Sequence, residues 1–187
     1  KLTFTGGLHA QYLTHNQSKS LEPRLGMRWG VSDNDIITAG YGLHSQMQQL
    51  YQYFTTLPQN PAGAMHNYNM GFTRSHHLVL GYDKKLSKSI KTRLETYGQY
   101  LFNVPVETRM GSSYSVVDQG SGYSRYFPDT LQNTGTGYNY GVELTIEKSF
   151  SRGYYVLLTG SVFDSKAKGN DGVYRNTDYN GRYAINI

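Results

Sequence analysis

Few side chains in this 187-residue chain are spaced for chemistry. His76 and His77 are adjacent, so on a strand they point to opposite faces and cannot share a metal. Glu143 and Glu147 fall on one strand face, but the four-residue separation sets them about 13 Å apart, too far for two carboxylates acting on one glycosidic bond. Asn170-Asp171-Gly172 invites a calcium reading, yet the acidic ligands of an EF-hand are missing around it and a turn explains it better. There is no cysteine nucleophile, no glycine loop that could cradle a phosphate and no Ser-His-Asp arrangement. The expectation is a protein that is not an enzyme and that uses neither cofactor nor metal.

The polar residues make more sense as the wall of something. From Leu2 to Tyr12 the even positions are Leu2, Phe4, Gly6, Leu8, Ala10 and Tyr12, and the odd ones are polar or glycine, which is the period of a strand. Leu21 to Val31 repeats it, with Leu25, Met27 and Trp29 on one face and Glu22, Arg24 and Arg28 on the other. Further alternating runs fall at Ile37–Leu43, His76–Tyr82, Ile90–Tyr100, Tyr138–Glu147, Tyr154–Phe163 and from Arg182 onward. The fifth run sets Lys91, Arg93, Glu95, Tyr97 and Gln99 on one face, and the sixth sets Glu143 and Glu147 likewise. Such side chains cannot face a dry core without partners, but they can face a watery lumen. Glu22, Arg24, Arg28, Arg93, Glu95 and Glu143 are therefore the expected polar wall, with Glu22 and Arg24 pairing with each other or with Lys91, Arg93 and Glu95. Pro23 is expected where its strand enters from a loop.

The connections alternate in length. Ser32–Asp35 and Lys84–Ser89 are short, whereas Gln46–Arg74 and Phe102–Gly137 are long and rich in Tyr, Asn, Ser and Gly. Leu13–Ser20 and Ser165–Asn180 are smaller connections on the long-loop side. A sheet whose two ends face different surroundings has this asymmetry, and transmembrane β-barrels are built so. Loops of that length in a compact domain carry function or are disordered, and Tyr offers wide contact area at low entropic cost. Tyr51, Tyr53, Arg109, Tyr123 and Tyr126 are the candidate ligand-binding residues.

Composition agrees. A hydrophobic content of 37% and a mean hydropathy of -0.58 exclude a helical membrane protein, but a barrel shows lipid only its alternate residues. Tyr outnumbers Phe by 18 to 7, which suits strands and membrane interfaces alike. The net charge of +5 is scattered rather than blocked, which argues against a nucleic-acid surface. The chain opens in a strand pattern with no secretory leader and stops inside another, which suggests an internal piece of a larger barrel.

Several stretches, in order, resemble a known family. They are Leu21-Glu22-Pro23-Arg24-Leu25, Gly40-Tyr41-Gly42-Leu43-His44-Ser45-Gln46, Leu94-Glu95-Thr96-Tyr97-Gly98-Gln99-Tyr100-Leu101 with Val104-Pro105-Val106, and Gly135 through Lys148, followed by Asp164-Ser165-Lys166 and Arg175-Asn176-Thr177. Together they are similar to the barrel of TonB-dependent outer-membrane receptors of the Bacteroidetes type, over essentially the whole chain. The resemblance implies a barrel of about 22 strands that imports a scarce nutrient, filled by a plug domain, preceded by a carboxypeptidase-regulatory-like domain and energised by the TonB complex. Plug, TonB box and closing strand are not matched here. The expected fold is all-β: an antiparallel up-and-down meander of about eight strands, residues 1–187 forming one unit of a larger transmembrane β-barrel. Its partners are outer-membrane lipid, the plug and remaining strands, TonB indirectly, and a nutrient that the residues do not name.

The competing class is a soluble β-barrel or β-sandwich that binds carbohydrate. The two differ in what Leu25, Met27, Trp29, Tyr41, Leu80, Leu94 and Leu144 face: lipid in the first, a packed core in the second.

Overall fold

The computed structural model describes residues 1–56, 65–118 and 127–187. Nine strands form one antiparallel sheet: β1 (Leu2–Leu13), β2 (Ser18–Gly30), β3 (Asp35–Gln46), β4 (Thr73–Lys85), β5 (Ile90–Glu107), β6 (Leu131–Ser151), β7 (Tyr154–Lys168), β8 (Tyr174–Asn176) and β9 (Tyr183–Asn186). From β1 to β8 each strand pairs with the next, as in a meander, and β8 and β9 share the place beside β7, so the sheet is eight strands wide. One short helix, α1 (Leu50–Tyr53), and a 3-10 turn, η1 (Val116–Asp118), sit in the two long connections. No described helix is long and apolar enough to cross a membrane.

Register keeps the parity of each strand intact across the sheet. Met27 lies opposite Phe4 and Ala39, Leu80 opposite Ala39 and Thr96, and Leu144 opposite Leu94 and Gly160. The apolar positions therefore form one continuous face, and they are exposed: Phe4, Leu25, Leu94 and Leu144 retain 71%, 64%, 47% and 45% of their surface. Aromatic rings border this face at both ends. Near the long loops, His76 stacks on Tyr41 and Phe102, and Tyr138 lies between Tyr140 and Tyr174. Near the short turns are Trp29, Tyr82, Phe150 and Tyr154. Tyr140 and Phe150 are ten residues apart on β6, about 34 Å of strand and, at a tilt of about 40°, about 26 Å of height. That is close to the ~25 Å apolar band of a transmembrane barrel.

The opposite face is concave. Arg28 of β2 and Glu147 of β6 line one cleft of about 550 Å³, so the sheet bends round its polar side.

The turns at one end are all tight. In residues 31–34 the Ser32 hydroxyl accepts from the Asn34 and Asp35 amides, both at 3.1 Å, and Ser87 does the same for Ser89 and Ile90. Arg152 and Gly153 both take positive φ, 54° and 87°, the two-residue hairpin geometry that matches strand twist.

Four expectations need correction. Pro23 lies inside β2, not at its entrance; β2 pairs with β3 only from Arg24 onward, so at Pro23 the β3 side needs no donor. The connection expected over Phe102–Gly137 shrinks to residues 108–130, because β5 and β6 run on through a bulge at Asn103, whose φ is 53°. The bulge shifts the alternation by a residue, which hides the continuation from a period-two count. The connection expected at Leu13–Ser20 is the tight turn 14–17. Beyond the expected end of the strand, β7 runs on to Lys168 and a short extra strand, β8, precedes β9, so the expected Ser165–Asn180 connection is reduced to residues 169–173 and 177–182.

Candidate functional site

The inner wall divides by height. Toward the short turns the cleft lined by Arg28, Asp83, Arg93, Glu95, Glu143 and Glu147 is charged. Arg93 donates to Glu95 at 2.7 Å and lies 3.6 Å from Asp83. Glu143 stands directly opposite Glu95 in register without an ion-pair partner of its own among the described residues. Arg28, on β2, reaches the same cleft as Lys85 of β4 and Arg93 of β5, so strands well separated in sequence contribute cations to one space.

Toward the loops the wall carries mainly polar side chains of β3 to β7. His44 and His77 rings lie 4.4 Å apart. Next to them Asn139 donates to Gln99 at 2.9 Å, Ser165 donates to Asn139 at 2.5 Å, and the Ser165 and Thr177 hydroxyls lie 2.7 Å apart. These partners follow from register, since Gln99 faces His77 on one side and Asn139 on the other. A cavity of about 350 Å³ opens beside them, lined also by Tyr97 of β5, Val117 of η1 and Tyr179.

On β1 and β2 the wall is organised by one carboxylate. Glu22 is only 1% exposed and takes Gln11 Nε2 at 2.5 Å, Arg24 Nη2 at 3.1 Å and the Ser20 hydroxyl at 3.2 Å, with His9 Nδ1 3.0 Å away. Four partners make up for the water a buried carboxylate loses. Glu22 and Arg24 thus pair with each other and not with the β5 residues that were the other option.

The long connections form a folded rim. Tyr53, fully buried, packs with Met70 and Leu131, and the His15 ring meets it edge-on at 4.5 Å. The Gln48 amide donates to its hydroxyl at 3.1 Å, and burial pushes its phenol up from the ordinary tyrosine value. Its ring is thereby held within the rim's own core. Tyr51 is half-buried, with its ring edge-on to Phe127 at 5.4 Å. Arg109 is exposed and donates to Glu107 at 3.3 Å. Tyr123 and Tyr126 lie outside the described residues.

Asparagines that period-two reading passes over tie the rim together. Asn16 donates to the carbonyls of Tyr68 and Met70, Asn67 accepts from the Leu131 amide at 2.7 Å, and Asn133 exchanges hydrogen bonds with the Gly71 backbone. The buried Glu107 accepts from Ser112 at 2.7 Å. The β7–β8 tip joins through Asn170, which donates to the carbonyls of Thr108 and Arg109, and through Gly169, where a Cβ would come within 2.6 Å of the Ser113 backbone. Asp171 closes the turn expected at Asn170–Gly172: its carboxylate accepts from the Val173 amide, and Arg175 at 2.5 Å holds its carboxyl below the usual range.

His76 and His77 part to opposite faces, one in the outer aromatic border and one on the inner wall beside His44 and Gln99. Among the described residues no three His, Cys, Asp or Glu side chains are grouped to hold a metal ion.

A two-faced, bent meander with an aromatic-bordered outer band and a polar inner wall has a counterpart among solved structures. One similar structure is the FrpB iron transporter from Neisseria meningitidis (F3-3 variant), with a TM-score of 0.60 over 92% of this chain at 15% identity. At that identity the likeness is one of fold. The chain spans about a quarter (25%) of that transporter's length. No protein-family model matches the chain, and no curated protein does.

Proposed function

We propose that this chain is part of the barrel of an outer-membrane receptor that imports a nutrient, of the TonB-dependent kind and the Bacteroidetes type. The observation that carries the reading is the opposition of the two sheet faces. One exposes Phe4, Leu25, Leu94 and Leu144 in a continuous band between aromatic borders; the other gathers Arg28, Arg93, Glu95 and Glu143 into a concave cleft. Lipid can cover the first, and water, plug or ligand can occupy the second. The likeness to the FrpB transporter supports the same assignment of faces.

In this reading the short turns lie on the periplasmic side and the folded rim outside the cell. Tyr51 and Arg109 are the rim residues placed to meet a ligand, and the polar wall holds the plug or the ligand's path. Transport proceeds by binding, plug displacement and passage, with no covalent step; the plug, the remaining strands and TonB belong to the rest of the receptor. The soluble carbohydrate-binding reading asks for the Leu and Val face to be packed in a core, which suits an exposed face poorly.

The test is depth-dependent quenching. A fluorophore attached at position 94 or 144 of the chain in lipid bilayers should be strongly quenched by brominated acyl chains, and one at position 99 or 143 should not. Equal protection at all four positions, in a monomer free of detergent, would sink the proposal.

A further inference from the structure

Two imidazoles on the inner wall have no part in the transport reading. His44 of β3 and His77 of β4 hold their rings 4.4 Å apart at an interplanar angle of 42°. Register explains the meeting. His77 stands opposite Gly42, and His44 lies two residues along β3 on the same face. A side chain at position 42 would put its Cβ 2.6 Å from His44 Nε2, so the glycine leaves the space into which the His44 ring leans toward His77. Both rings are half-buried, and neither has a carboxylate partner among the described residues, unlike His9 beside Glu22. Arg24, opposite Gly42 on the β2 side, is turned to Glu22, which balances its charge.

The surroundings orient the His77 ring. Gln99 Nε2 lies 3.5 Å from its Nδ1, and Gln99 is held in turn by the chain of Asn139, Ser165 and Thr177. Amides and hydroxyls both donate and accept, so Gln99 can instead present its carbonyl oxygen to an Nδ1–H, leaving His77 Nε2 free as a ligand, and its neighbours can turn with it. Two residues from His77 on the same face, the Ser75 hydroxyl is buried without a hydrogen-bond partner among the described residues. Such a hydroxyl can orient a metal-bound water.

We propose that His44 and His77 together bind a divalent metal ion of the copper, nickel and zinc class on the inner wall, with water or the donors of an incoming small molecule completing its coordination. Imidazole suits these ions, whereas calcium and magnesium ask for a set of oxygen ligands that this pair does not supply. Two protein ligands leave the lumen side of the ion open, so it can exchange.

The test uses the full chain in detergent micelles with a single equivalent of Cu²⁺ at neutral pH, the ion such ligands hold most tightly, read by electron paramagnetic resonance. The unaltered chain should show nitrogen couplings from two imidazoles. His44→Gln and His77→Gln should each lose that pattern, and a His9→Gln, His76→Gln double variant should keep it. A one-imidazole spectrum in the unaltered chain, or a two-imidazole spectrum that survives in His77→Gln, overturns the proposal. Should the variants fail to fold, the unaltered chain answers alone: with ascorbate and hydrogen peroxide, bound copper oxidises its own ligands, and peptide mass spectrometry should find oxidised histidine at His44 and His77 ahead of His9, His15 and His76. Even oxidation of all five is equally decisive against the site. Quenching at positions 94 and 144 tests the membrane reading separately: quenching without copper at this pair removes only the metal site.

Discussion

Glu95 and Glu143 face one another directly across β5 and β6, and among the described residues only Glu95 has a cation, Arg93 at 2.7 Å. Like charges directly opposed on a sheet destabilise it by a few tenths to about 1 kcal/mol. The pair persists because the cleft is open to water and because Arg93 lies between Glu95 and Asp83. Glu143→Gln should therefore raise the stability of the folded chain by roughly 0.5 kcal/mol, and Arg93→Met should lower it. Urea unfolding in a fixed detergent measures both; a loss of stability in Glu143→Gln contradicts the assignment.

The two faces predict opposite responses to the same substitution one residue apart. Leu144→Arg places a guanidinium in the outer band and should cost about 2–4 kcal/mol in a bilayer. Thr145→Arg points into the wet cleft between Glu143 and Glu147, with Arg93 directly opposite, and should cost less than about 1 kcal/mol. Folding titrations in lipid vesicles distinguish them, and equal costs would mean that Leu144 does not face lipid.

Glu22 holds together the inner wall of β1 and β2. Glu22→Ala strands Arg24, His9 and Gln11 without their common acceptor, and should cost about 2–3 kcal/mol. Glu22→Gln keeps an acceptor and should lose less. A chain whose stability ignores both substitutions does not bury this carboxylate as described.

Tyr53 predicts where the rim is cohesive. Tyr53→Ala removes the largest ring of the rim core, a change that costs about 3–5 kcal/mol in a packed core. The effect should appear as protease cleavage within residues 47–72, with strand content by circular dichroism unchanged. Tyr53→Phe loses only the hydroxyl that accepts from Gln48 and should be mild.

Asp171 gives a pH signature with a definite sign. Its carboxyl is held below the usual range by Arg175, so its contribution is complete above the ordinary carboxylate pKa and fades as pH falls through the depressed value. Hydrogen-exchange protection of the Val173 amide should fall at acid pH in the unaltered chain. In Asp171→Asn it should lose that dependence; an unchanged profile shows that the Asp171–Arg175 pair does not govern the turn.

Strand parity was legible because it is local. Whether Leu94 and Glu95 fall on opposite faces depends only on the pleat, so the sequence by itself determined most of the strands, the face of the sheet on which Glu22, Arg24, Arg28, Arg93, Glu95 and Glu143 fall, the parting of His76 from His77, and the short turns. It lost the trail where the alternation slips, at the Asn103 bulge and in the break between β8 and β9, because one residue out of phase reverses every later face. Only the tertiary structure decided what the loops do. Tyr53 and Tyr51 are alike in sequence, yet one is buried and the other half-buried, as a result of contacts with His15, Met70, Leu131 and Phe127 that lie far along the chain. Polar partners such as Asn67 with Leu131, or Lys19 with Arg74, meet only when several strands have been laid side by side. Such encounters depend on register and curvature, which no single segment contains.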